Sequence, residues 1–107
     1  MALDTKNLAA VAAEYASKDP RDIIALALAE FSGDIAVSFS GAEDVVLVDM
    51  AKKIGGRFGV FSLDTGRLHP ETYQFLDKVR AHYEVPVDTF FPQPEAVQKL
   101  VHEKGLF

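Results

Sequence analysis

Three short β-branched and aromatic runs alternate one for one with helical segments, and this alternation restricts the fold more than any other feature of the sequence. The runs are residues 35–39, 58–63 and 87–91. Each is short and rich in Val, Ile and Phe, residues that suit a pleated surface. Between the second and third, Pro70 opens a segment whose Phe75, Leu76, Val79 and Tyr83 make one apolar helical face. Residues 45–48 alone read as a strand, yet the apolar pattern continues to Ile54 and stops at Gly55 and Gly56, which favours a buried helix. Strands separated by single helices need crossover connections, so the sheet is expected to be parallel with right-handed crossings. The expected class is α/β, a Rossmann-like parallel sheet with helices on both faces.

Two further helices precede the first strand. Asp4 or Thr5 suits the cap of one running through about Ser17, with Leu8, Val11, Ala12 and Tyr15 as its apolar stripe. Asp19 caps and Pro20 opens the next, which runs to about Phe31. Pro94 opens a last helix carrying Val97, Leu100 and Val101 and stopped by Gly105. The expected organisation is one domain, with residues 1–33 as an N-terminal helical segment and residues 34–107 as a βαβαβα core. Three strands are few for such a sheet, and another strand ordinarily follows a helix like the last one. The domain is therefore expected to be incomplete, truncated to about three strands.

Charge and composition narrow the function. A net charge of −5 disfavours a generic grip on nucleic acid, which needs a surplus of Lys and Arg on one face. No stretch approaches membrane-spanning length, and residues 1–7 do not resemble a secretory signal, so no membrane partner and a cytoplasmic location are expected. The sequence contains no cysteine, so these residues supply no disulfide, iron–sulfur ligand or thiolate nucleophile.

Ligands of open parallel sheets lie beyond the carboxyl ends of the strands, and two polar loops fall there. In residues 38–44, Ser38 and Ser40 supply hydroxyls, and Gly41 lets an anion approach free backbone N–H groups at a helix start. Asp44 suits a helix cap or a hydroxyl partner better than contact with that anion. In residues 63–67, Asp64 and Thr65 precede Gly66, which can expose backbone to a base or ribose, and Arg67, which can fork onto a phosphate. Each loop by itself equally suits a plain strand-to-helix turn with polar caps.

Taken together, Ser38-Phe39-Ser40-Gly41-Ala42-Glu43-Asp44-Val45 and the run from Phe61 through Leu63-Asp64-Thr65-Gly66-Arg67 to Tyr73 resemble the assimilatory adenylyl-sulfate reductases of bacteria and plants. Residues 101–107 also resemble that family's segment before its first cysteine pair. The resemblance spans about Ile23 to the last residue and implies an adenine nucleotide alpha hydrolase-like fold. It implies substrate contacts from Ser38, Ser40 and Gly41 toward the nucleotide and its phosphosulfate, and from Leu63, Asp64, Thr65 and Gly66 on the adenosine side, with Asp44 counted among the substrate-binding residues and Arg67 either binding or bracing the loop. The implied ligand is adenylyl sulfate or AMP. The implied reaction, part of sulfate assimilation, is attack of a cysteine thiolate on the sulfur of adenylyl sulfate, expelling AMP. Thioredoxin then resolves the thiosulfonate to sulfite. A four-iron, four-sulfur cluster belongs to the full-length family member, and its cysteine ligands match no position here, nor does the nucleophile. No cofactor and no metal are expected in this chain, which is expected to bind nucleotide without turnover.

Two alternatives stay open. The first loop is a modified form of that in ATP pyrophosphatases, whose second glycine and later serine are here Ala42 and Val45, leaving less room for a polyphosphate. The other alternative is a non-catalytic α/β interaction module. Of the histidines, His69 suits helix entry, and His82 and His102 suit solvent faces. Phe90, Phe91 and Phe107 are expected to form an exposed patch that promotes homo-oligomers.

Overall fold

In the computed structural model, which describes residues 3–106, strands β1 (Ala36–Ser38), β2 (Gly59–Leu63) and β3 (Val87–Phe90) form one sheet in that order. Both pairings are parallel, with Val37 opposite Val60 and Val60 opposite Val87. The helices are α1 (Leu8–Tyr15), α2 (Pro20–Glu30), α3 (Val45–Ile54), α4 (Pro70–Tyr83) and α5 (Pro94–Lys104), in the predicted order. β1 is shorter than the predicted run, although the ladder reaches one bond beyond it at each end: Gly59 N donates to Ile35 O and Phe39 N to Phe61 O. α1 begins later than expected because Asp4 Oδ1 accepts from the N–H groups of Lys6 and Asn7, holding a turn before the helix. Asp19 caps α2 as predicted, accepting from Arg21 N at 2.8 Å.

Strand alternation decides where the core lies. Phe39 and Val60 point to one side with Val37 and Val87. There they meet Val48 of α3, Phe75, Leu76 and Val79 of α4, and Val85. The Phe39 and Phe75 rings pack with centroids 5.9 Å apart. The other side carries Ala36, Ser38, Phe61, Leu63 and Phe90 and has no comparable cover: Leu63 is 64% exposed and Phe90 57%. The expectation of helices on both faces is thus met on one face only among the described residues. The reason is strand order. Right-handed crossovers that step in one direction, β1 to β2 to β3, carry α3 and α4 to the same side, and reaching the opposite side requires a reversal of strand order. α5 contributes no buried residue. The radius of gyration, 17.4 Å, is correspondingly larger than the roughly 13 Å of a compact domain of this length.

α2 lies beside α3, with Leu28 buried against the turn that ends α3. Gly55 closes that helix in the left-handed region at φ 90°, as the glycine stop predicted. Gly56 has a different task, because a Cβ there would sit 2.9 Å from Leu28 Cβ. Gly56→Ala is therefore expected to push α2 away and lower stability by about 1–3 kcal/mol, read from the denaturant midpoint.

Asp49 ties α3 to α4, accepting from Tyr83 Oη at 2.9 Å and pairing with Lys53 Nζ at 2.9 Å. The Lys53 ammonium first, and the Tyr83 hydroxyl next, hold the Asp49 carboxyl below the usual carboxylate range. A folded pKa below the unfolded one makes this contribution complete at neutral pH and lost as pH falls through the folded value. An NMR titration of Asp49 is expected to give a midpoint below that of an unperturbed aspartate, and Asp49→Asn to flatten the acid limb of the stability profile.

Candidate functional site

Parallel strands bring their carboxyl ends to one rim, and both polar loops leave from it. Ser38 stands opposite Phe61 in the ladder, and Asp64 N continues the pairing to Phe90 O. The loop after β1, with Ser40, and the loop after β2, with Gly66, therefore share that rim.

In the first loop Phe39 turns into the core, which leaves its neighbours Ser38 and Ser40 exposed on the other side. Residues Ala42–Asp44 form a 3-10 turn that runs straight into α3. The Asp44 side chain does not cap α3. It reaches back into the loop, where Oδ2 accepts from Ser40 N at 2.7 Å, Ser40 Oγ at 3.0 Å and Gly41 N at 3.1 Å. The expectation of freely available loop donors needs correction accordingly. The Ser40 and Gly41 N–H groups are engaged, whereas no hydrogen bond is made by those of Ala42 and Glu43 among the described residues. The Ser40 backbone first, then its hydroxyl, keep the Asp44 carboxyl below its ordinary range, so it is anionic at neutral pH. Gly41 is extended at φ −154°, and a Cβ there would come nearest to the Glu43 carboxylate, at 3.0 Å. Its glycine serves to keep the loop bare.

The second loop is held in a similar way. Asp64, only 7% exposed, turns inward, and its Oδ1 accepts from Gly66 N at 2.7 Å and Tyr73 Oη at 2.8 Å. Gly66 sits in the left-handed region at φ 84°, where glycine is required. Thr65 Oγ1 accepts from Arg67 N at 3.3 Å. The Arg67 guanidinium donates to the Leu106 carbonyl, bracing the loop against the segment after α5. Leu63, at the end of β2, lies on the uncovered side of the sheet.

The rim thus sorts the predicted residues. Ser38, Ser40, Gly41, Leu63, Thr65 and Gly66 lie at or beside it, while Asp44, Asp64 and Arg67 spend their hydrogen bonds holding the loops. Sequence reasoning missed Tyr73, whose place in the first turn after the second loop was the available signal. The free N–H groups it expected in the first loop were not assigned to Ala42 and Glu43. His69 stands at the entry to α4 without a side-chain cap bond, and His82 and His102 are exposed.

A cavity of about 200 Å³ lies between α4 and β3, with Asp64, Tyr73, Arg80 and Thr89 in its wall. A larger one, about 500 Å³, opens at the opposite end of the strands beside Gly33, Lys52, Arg57 and Pro86 and has no part in the rim. Among the described residues no three His, Asp or Glu side chains gather to hold a metal, and no helix is long and apolar enough to cross a membrane.

Residues 34–107 match the family model described as the phosphoadenosine phosphosulfate reductase domain. The chain belongs to this family. The match begins just before β1 and takes in both rim loops, so the reductase-domain segment and the candidate site coincide. An adenosine 5'-phosphosulfate reductase of Pseudomonas aeruginosa (strain LESB58) is 54% identical over 101 residues, 94% of this chain and 38% of that relative. The 5'-adenylylsulfate reductase 1, chloroplastic, of Arabidopsis thaliana is 48% identical over 97 residues, 91% of this chain and 21% of the relative. An adenosine 5'-phosphosulfate reductase of Burkholderia cepacia is 36% identical over 106 residues, 97% of this chain and 42% of the relative. The chain therefore spans less than half the length of each of these relatives.

Proposed function

We propose that the rim receives an adenine nucleotide and that the chain is the N-terminal, nucleotide-holding part of an adenylyl-sulfate reductase. The observation that carries this reading is the meeting of two polar loops at one rim of a parallel sheet, within a segment that matches the reductase family. Ser38 and the N–H groups of Ala42 and Glu43 supply donors to the phosphosulfate, beside Ser40, whose hydroxyl and N–H are held by Asp44. A helix start adds partial positive charge there without a basic side chain. Leu63, Thr65 and the backbone at Gly66 line the adenosine, with Asp44, Asp64 and Arg67 keeping both loops in place.

In the whole protein, a cysteine thiolate attacks the sulfur of adenylyl sulfate. The bond from that sulfur to the AMP phosphate oxygen breaks, and AMP leaves. Thioredoxin then supplies the thiols that release sulfite as the enzyme-bound sulfur is resolved. With no cysteine among these 107 residues, the chain performs none of these steps. The same lack means its residues do not fit a four-iron, four-sulfur cluster. The reading takes the cytoplasm as the site of the reaction, while the Arabidopsis relative is named chloroplastic. Calorimetric titration with AMP and adenylyl sulfate tests it: binding of both supports it, and no heat with either at millimolar concentration overturns it.

A second reading, as an assembly module, is favoured by the uncovered side of the sheet, where Leu63 and Phe90 lie exposed next to Phe91, itself 68% exposed. Phe107, expected in the same patch, lies outside the described residues. Reversible homo-oligomers that bury this patch suit that reading, and sedimentation at several concentrations tests it. The ATP pyrophosphatase reading predicts pyrophosphate release from magnesium ATP.

A further inference from the structure

Asp64 is the one buried carboxylate among the described residues, and one of its oxygens holds the second loop to α4. Oδ1 accepts both from Gly66 N, at 2.7 Å, and from Tyr73 Oη, at 2.8 Å. Gly66 is the residue whose left-handed backbone turns the chain over the rim. The Tyr73 hydroxyl thus fixes the oxygen that in turn fixes the Gly66 amide, although Tyr73 belongs to the helix behind the loop. We propose that Tyr73 is a positioning residue for the adenosine side of the rim, setting the Gly66 turn through Asp64 before a nucleotide arrives. This role rests on the nucleotide reading above.

The phenol suits the task. The hydrogen bond to Asp64 first, and burial second, raise the Tyr73 pKa, so the hydroxyl keeps its proton and stays a donor at neutral pH. Removing the hydroxyl leaves a buried carboxylate with one donor fewer, and the loss falls on the loop.

The test is Tyr73→Phe, which removes one oxygen and opens no cavity. Without ligand, exchange of the Gly66 amide is expected to quicken about fivefold, while Gly41 in the other loop keeps its rate and the melting temperature falls by only about 4–8 °C. AMP affinity is expected to weaken about fivefold, with Tyr73→Leu giving the same or a larger loss. An unchanged Gly66 rate overturns the proposal, as does quickening of all amides together, which signals general loosening. Faster Gly66 exchange with unaltered AMP affinity overturns it too, because the loop would then be shaped for something other than the nucleotide. If the unaltered chain binds no AMP, the nucleotide reading falls by itself, and the role of Tyr73 at the adenosine side falls with it.

Discussion

Phe39→Ala is expected to lower stability by about 3–5 kcal/mol, enough to unfold much of the population of a marginally stable domain. The side chain is 3% exposed, packs at a tilt against Phe75 and stands among Val48, Val60 and Val79 in the core cluster. With one side of the sheet bare, no second core among the described residues shares the loss. Phe39 also separates Ser38 from Ser40, so its burial is what turns both hydroxyls outward. Urea titration followed by circular dichroism measures the effect, and a loss below about 1 kcal/mol shows that the core readily closes over the gap. Phe39→Leu, which keeps most of the volume, is expected to recover more than half.

Asp44→Ala is expected to weaken AMP binding about tenfold or more, because three donors lose the one charged oxygen that holds them together. The loop is exposed, so the melting temperature is expected to move little. Asp44→Asn, which keeps an acceptor but not the charge, should fall between. Calorimetry decides among the outcomes. An unchanged affinity means the loop holds its shape without Asp44. A tighter one means the carboxylate competes with the phosphate for the same donors.

What was legible in the sequence was mainly what is local in the chain. Pro20, Pro70 and Pro94 mark helix starts, Gly55 and Gly105 mark ends, and Asp19 caps α2, each through bonds spanning a few residues. Parallel pairing followed from the alternation, since short strands joined through single helices leave few other arrangements. The side of the sheet taken by each helix did not follow, because it depends on strand order, which no local pattern encodes. The direction of each carboxylate was hidden for a related reason. Whether Asp64 faces the rim or the interior depends on Tyr73, nine residues on, and the placement of Arg67 on Leu106, thirty-nine residues away.

The bare side of the sheet has a thermodynamic consequence. Water already covers Leu63 and Phe90 in the native state, so unfolding transfers less new hydrocarbon into solvent than chain length implies. The heat-capacity increment should then fall below the usual value of about 12–15 cal/mol/K per residue, giving a shallow stability curve and a broad melting transition.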